Sequence, residues 1–234
     1  MISIVLATYN ERESIQTTIR ALLKETPAEM EIVVVDDDSP DQTWRVVESL
    51  DLPNVKIIRR KGTRGLASAF NRGIIESRGD YIGWMDADMS MPPSVIPQMY
   101  RALVEGGYDI AIGSRYAPGG VDDRHALRVL ASRLINGFAR LVLNHGIRDY
   151  DSGFVLIRRS VLDSVTIIPR GYGEYFIEFV YDACRKGLRV VEIGYYFRDR
   201  TVGVSKSAPS VIKFLVTGLG YVVRILTARV RRID

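Results

Sequence analysis

The stretch Tyr81-Ile82-Gly83-Trp84-Met85-Asp86-Ala87-Asp88 constrains this chain more than any other. An apolar run stops abruptly at two carboxylates one residue apart, and the breaker Pro92-Pro93 follows. That pattern is a buried strand ending in a loop. Residues i and i+2 of a strand point to the same side, so Asp86 and Asp88 can reach one ion together. Open α/β sheets bind ligands at the carboxyl ends of their parallel strands, where such a pair suits a divalent cation holding a phosphate. Oxygen ligands with no Cys or His nearby favour Mg²⁺ or Mn²⁺ over zinc. The plainer alternative is two solvated loop aspartates.

The rest of the chain supplies the setting for that strand. Ile2–Leu6, Ile32–Val35, Val55–Ile58 and Asp109–Gly113 are further short apolar runs, each ending at polar residues. Glu11–Lys24, with Ile15, Ile19, Leu22 and Leu23 at helical spacing, reads as a helix between the first two. Ser39-Pro40-Asp41 reads as a helix start, with Ser39 as the cap. Leu66–Ser77, Ser94–Glu105, Arg124–Asn144 and Glu174–Lys186 are helix candidates, and Ser152–Ile157 and Val190–Tyr196 are strand candidates. Strands alternating with helices at this spacing predict an α/β fold, a mostly parallel sheet with helices on both faces. With 47% hydrophobic and 26% charged residues the composition is that of a packed domain, which excludes disorder over most of the length. No internal repeat or linker-like segment divides it.

The single cysteine, Cys184, rules out an internal disulfide and fits a reducing compartment. His125 and His145 lack metal-ligand partners at useful spacing. Met1–Leu6 lacks a charged leader and a cleavage site, so it reads as a core strand. The net charge is only +4, but Arg224, Arg229, Arg231 and Arg232 crowd the end of the chain beside the apolar run Val211–Leu226. That run is shorter than the roughly 20 residues needed to cross a bilayer. Two readings stand: a helix lying in a membrane interface, or a last helix folded onto the core.

On the expected sheet, four polar clusters share one rim. They are Ala7-Thr8-Tyr9-Asn10-Glu11, Asp36-Asp37-Asp38-Ser39, Asp86-Ala87-Asp88 and Gly113-Ser114-Arg115-Tyr116. Successive strand ends bearing polar groups suit a nucleotide cleft. No G-x-G-x-x-G follows the first strand and no Walker A sequence occurs, which argues against a dehydrogenase or P-loop NTPase. A nucleic-acid module would need a basic face with stacking aromatics, and the acidic strand ends would repel a polyanion.

Taken together, these clusters resemble the family-2 glycosyltransferases with a GT-A fold, and within them the polyprenol-phosphate (dolichol-phosphate) mannosyltransferases. Gly65-Leu66-Ala67-Ser68-Ala69 with Gly73, Pro92-Pro93, Ser152-Gly153-Phe154, Gly171-Tyr172 with Glu178, and Arg200 through Lys206 continue the match. The resemblance covers residues 1–210 and implies a catalytic domain there; residues 211–234 are read as an amphipathic, basic C-terminal segment, with membrane-interfacial placement one of the two readings given above. It implies a nucleotide-sugar pocket formed by Ala7, Tyr9, Glu11, Val35, Asp37, Asp86, Ala87, Asp88 and Ser90. Asp86 and Asp88 would hold the metal, Mg²⁺ or Mn²⁺. Arg115 would lie near both the donor and the acceptor phosphate, with Arg128 and Ser132 on the latter, and Arg200 and Lys206 on a loop over the diphosphate. Asp88, Arg115 and Arg200 would carry the chemistry. Ala7 replaces a common proline, and Ser90 replaces a glutamine that helps hold the metal in close relatives.

The reaction implied is inverting transfer of a hexose, foremost mannose from GDP-mannose, to a polyprenyl (dolichyl) monophosphate, giving the β-linked product. A phosphate monoester is largely dianionic at neutral pH, with a second pKa near ~6, so it needs little help from a base. UDP-glucose or another nucleotide sugar is the rival donor, and a non-catalytic phosphate-binding module the rival of another class. Expected partners are the donor, the lipid phosphate, the cytoplasmic face of a membrane and, since some relatives carry extra transmembrane helices, a separate membrane-anchoring subunit. No nucleic acid is expected.

Overall fold

A computed structural model describes residues 1–25, 29–171, 173–198 and 211–231, with the backbone alone for 211–217. The elements run β1 (Ile2–Thr8), α1 (Ile15–Glu25), β2 (Met30–Asp36), α2 (Thr43–Ser49), β3 (Val55–Arg59), α3 (Leu66–Glu76), β4 (Tyr81–Asp86) and α4 (Ile96–Val104). They continue with β5 (Ile110–Ser114), β6 (Val121–Asp123), α5 (Ala126–Leu143), β7 (Val155–Arg158), α6 (Tyr175–Arg185), β8 (Val190–Gly194), β9 (Tyr196–Arg198) and α7 (Val211–Val230). Seven strands form one sheet in the order β3-β2-β1-β4-β7-β5-β8. All neighbours are parallel except β7, which runs antiparallel to both β4 and β5. This is the mostly parallel sheet with helices on both faces expected from the sequence.

Because both faces are covered, the central strands are apolar at successive positions instead of alternating. Ile2, Ile4 and Leu6 of β1 face Ile15, Ile19 and Leu22 of α1 and Ile96, Met99 and Leu103 of α4. Val5, Val33, Val35 and Trp84 point the other way, into Phe70 of α3 and Phe176, Phe179 and Val180 of α6. α3 lies close to β1 and β2 because Gly73 carries no side chain. A Cβ there would sit 2.2 Å from Val5 Cγ1 and 3.1 Å from Val35 Cγ2.

Three local features differ from the sequence reading. Ser39 does not cap α2, which begins at Thr43; Asp41 Oδ1 accepts the Thr43 amide at 2.9 Å instead. Ser39 is drawn back to Asp36, whose carboxylate accepts both its amide and its hydroxyl. The expected strand Val190–Tyr196 breaks after Gly194, and β9 pairs with β6 in a separate two-stranded ribbon. The Pro118–Gly120 loop crosses over Gly194, where a Cβ would lie 2.2 Å from the Pro118 carbonyl oxygen. α7 joins features of both readings of the C-terminal run: one stripe of it (Tyr221, Ile225, Ala228) is buried, and the helix packs on α5 and α6. Arg224 donates to Glu178 at 2.9 Å and Arg231 to Asp182 at 3.1 Å, pinning it there. The opposite stripe is exposed.

Gly73→Ala is expected to destabilise the protein by about 1–3 kcal/mol through overpacking against Val5. A urea unfolding curve checks it, and an unchanged midpoint would refute the close approach of α3.

Candidate active site on the carboxyl rim of the sheet

Parallel pairing places Thr8 opposite Asp36 and Ala7 opposite Asp86, so the ends of β1, β2 and β4 open on the same rim. The segment entering β7 joins them there, since the Gly113 amide donates to the Phe154 carbonyl at 2.9 Å. Asp36, fully buried, works as scaffold. It accepts the Thr8 hydroxyl at 2.8 Å as well as Ser39, while the Ser39 hydroxyl accepts the Asn10 amide at 3.0 Å. The loops after β1 and β2 are thereby knotted together.

The residues expected in the nucleotide pocket divide by what they present. Tyr9 lies on the rim with the Arg64 guanidinium 3.4 Å from its ring centroid. The Glu11 amide is held by Thr43 Oγ1 at 2.9 Å, and Ala7 is half-buried. Val35 is fully enclosed between β2 and α3, so its side chain lines the core and not a pocket. The two oxygens of Asp37 are engaged by Arg60 Nε at 2.7 Å and by the Gly65 amide at 2.8 Å. Asp37 therefore orders the loop before α3, a clamp the sequence reading did not contain.

Asp86, half-buried, ends β4, and Ala87 and Asp88 follow it. Met89 takes φ 63°, a left-handed turn that folds the loop back, and Asp88 Oδ1 accepts the Ser90 amide at 3.0 Å. The Ser90 hydroxyl is buried and has no hydrogen-bond partner among the described residues. Two carboxylates and an unsatisfied hydroxyl oxygen on one turn fit a hard divalent cation. Among the described residues no group of three or more His, Cys, Asp or Glu gathers to hold one, here or elsewhere. Mg²⁺ is commonly held by only one or two carboxylates, with substrate phosphates and water completing the shell.

Arg115 follows β5 and is almost completely buried. Its backbone amide and its Nε both donate to Asp149 Oδ2 at 2.9 Å, and its terminal nitrogen donates to Asp149 Oδ1 at 2.6 Å. The same nitrogen reaches the Asp151 carbonyl at 2.9 Å. Burial alone would lower the pKa of this guanidinium, but Asp149, and less strongly Asp151, hold it well above its ordinary value. It stays charged under all conditions of interest. Asp149 is fixed in turn by Glu192, which accepts its amide at 2.9 Å.

The structure brings Ser132 into the same cluster. Ser132, buried on α5, lies 3.4 Å from Asp151 Oδ2, which is also 3.4 Å from the Arg115 terminal nitrogen. Arg128 sits one turn earlier on α5, half-exposed. Arg200 and Lys206, like Tyr172, lie outside the described residues. Asp149 and Asp151 were missed by the sequence reading, although their spacing repeats that of Asp86 and Asp88. What tells the two pairs apart is Arg115, thirty-odd residues away in the chain.

Comparison with known proteins agrees with this geometry. The chain belongs to glycosyl transferase family 2, whose family description matches residues 3–166. It is 39% identical over 210 residues to the dolichol-phosphate mannosyltransferase of Pyrococcus furiosus, an alignment covering 88% of this chain and 58% of that protein. It is 33% identical over 220 residues to the polyprenol monophosphomannose synthase of Mycolicibacterium smegmatis, covering 90% of this chain and 82% of that one. The fold matches glucosyl-3-phosphoglycerate synthase of Mycobacterium tuberculosis, crystallised with Mn²⁺, UDP and its product, at a TM-score of 0.75 and 18% identity. That match covers 97% of this chain and 79% of the other.

Asp149→Ala is expected to cost about 3–5 kcal/mol of stability, because it strands the buried Arg115 charge. Replacing both partners with apolar residues should cost less. Thermal melts of the single and double variants check the order, and equal losses would refute it.

Proposed function

We propose that this chain transfers a hexose, foremost mannose from GDP-mannose, to a polyprenyl monophosphate, with inversion at the anomeric carbon. The observation that carries the reading is the placing of an acidic turn, Asp86 to Ser90, on the same rim as a fixed guanidinium beside Ser132. One is suited to a metal-bound diphosphate and the other to a phosphate. The two mannosyl-transferring relatives supply the sugar and the lipid.

An oxygen of the acceptor phosphate forms the new bond to the anomeric carbon as the bond to the donor diphosphate breaks. The nucleophile is already charged, and no residue need take a proton from it. What the protein contributes is positioning of two anions that repel each other. Arg115, its Nε edge locked by Asp149, would grip phosphate with the opposite side of its planar fork, and Arg128 and Ser132 would approach it from α5. Asp86 and Asp88, helped by Ser90, would hold the divalent cation, Mg²⁺ or Mn²⁺; when bound it neutralises the departing diphosphate. Arg200 and Lys206 would add positive charge over the same group. Tyr9 and Glu11 border the base and ribose.

The lipid acceptor places the enzyme at a membrane surface, and the reading here is its cytoplasmic face. Among the described residues no helix is long and apolar enough to cross a membrane. On α5, Leu127, Leu130, Leu134 and Leu141 are all more than half exposed and lie roughly opposite that helix's buried stripe, Ser132, Asn136 and Ala139. On the adjoining α7, Leu219, Val223, Leu226 and Val230 repeat the arrangement. Two neighbouring helices, each apolar on an outer face beside exposed Arg133, Arg140 and Arg229, suit an interface with anionic lipid. A separate anchoring subunit covering that face is the other outcome of the test.

Incubation with GDP-mannose, UDP-glucose or UDP-N-acetylglucosamine plus polyprenyl phosphate, with and without Mn²⁺, should give a β-linked mannolipid that requires the metal. An α-linked product by NMR would end the single-displacement mechanism. Asp88→Ala should lower turnover on the order of 10²-fold or more with the fold intact. Leu134→Asp with Leu141→Asp should abolish flotation with anionic vesicles while leaving donor affinity unchanged; unaltered flotation would refute membrane contact through α5.

A further inference from the structure

The pocket assigned above to the acceptor phosphate already contains a carboxylate. Asp151 Oδ2 lies against Ser132 and Arg115, two of the groups meant for the phosphate, with 18% of the side chain exposed. Its surroundings come from every neighbouring element. Arg115 and Asp149 face it from β5 and its own loop, Arg124 from beyond β6, Ser132 from α5, and Tyr175 from the start of α6. From α7 the Tyr221 hydroxyl donates to it. Gly173 leaves the room for that contact, since a Cβ there would lie 2.1 Å from the Tyr221 oxygen and 3.2 Å from Asp151 Oδ1.

The charges do not balance for an incoming dianion. Arg124 is already paired with Asp122 at 2.7 Å, and Arg115 with Asp149. Asp151 is thus a third carboxylate beside two guanidiniums, each paired more closely with another acid; it reaches Arg115 only at 3.4 Å, and Arg128 is the one further cation assigned to the phosphate. A phosphate placed within hydrogen-bond reach of Ser132 would meet it as a like charge at close range, in surroundings that screen poorly. Asp122, by contrast, is gripped at both oxygens by Arg124 and cannot easily change state.

Resting on the acceptor proposed above, we infer that Asp151 takes up a proton when the acceptor phosphate binds, and that Tyr221 on α7 is the residue that holds it ionised until then. The neutral carboxyl offers its hydrogen to a phosphate oxygen where the carboxylate would have repelled it. The proton comes from solvent. Burial already pushes this carboxyl up from its ordinary value, with Arg115 opposing the effect and Asp149 adding to it. Tyr221 acts in the opposite direction, by hydrogen-bonding the charged form. Because Tyr221 belongs to the helix whose outer face suits lipid, the seating of α7 and the charge state of Asp151 are tied to one hydrogen bond.

The sign follows from linkage. The complex holds more protons than its separated parts, so acceptor affinity weakens as pH rises, by up to about tenfold per pH unit for one proton. Titration calorimetry with a water-soluble short-chain prenyl phosphate, in buffers of different ionisation heat, reads the uptake directly. The wild-type chain should take up more protons per acceptor bound than Asp151→Asn, by a difference approaching one, near neutral pH. The phosphate's own titration is common to both and cancels. Asp151→Asn should bind more tightly at high pH, with a flatter pH profile. Tyr221→Phe should show reduced uptake and tighter binding, while the affinity for GDP-mannose stays the same in all three proteins. Equal proton uptake in wild type and Asp151→Asn would overturn the inference, as would an unchanged profile in Tyr221→Phe. If GDP-mannose binds but no prenyl phosphate does, the acceptor assignment itself fails, and the proton linkage with it.

Discussion

The parallel pairing of β1 with both β2 and β4 is the constraint on which the rest of this molecule depends. It brings Thr8, Asp36 and Asp86 to one edge, although they come from segments nearly eighty residues apart. Each strand ends in an acid or hydroxyl for the same reason: beyond the last covered residue the chain emerges from between two helical layers and meets water. A ligand site on this rim needs no separate invention. It is where a doubly covered sheet exposes its ends.

Rigidity at the rim is obtained by spending most of its polar groups on one another. Asp36 ties three groups from two loops, Asp37 ties Arg60 to the Gly65 amide, and Asp149 locks one edge of Arg115. Such buried networks are costly unless fully satisfied. Their effect is to hold the acidic turn and the Arg115 guanidinium in set directions. Positioning of two repelling anions requires that kind of fixed frame.

The apolar runs, the helical spacing of α1 and the polar stops after each strand were legible in the sequence, because strand and helix periodicities are local properties. So was Asp86-Ala87-Asp88, whose meaning follows from being the end of an apolar strand. The family resemblance puts Val35 beside the nucleotide pocket, but the burial of its side chain depends on α3, which arrives nearly forty residues later over Gly73. Ser39 was read as a helix cap because serine before proline often is one. Asp36, on the preceding strand, competed for it and won.

What the sequence by itself determined is the class of fold, the acidic turn and the family, since each is carried by order and spacing along the chain. Only the tertiary structure decided that β7 enters the sheet antiparallel between β4 and β5, carrying Asp149 and Asp151 to Arg115. It alone decided that α7 keeps one face on the core while turning the other outward. Two aspartates with one residue between them look the same wherever they occur. Whether they meet a cation from solution or a guanidinium of the same chain depends on what the fold places opposite them.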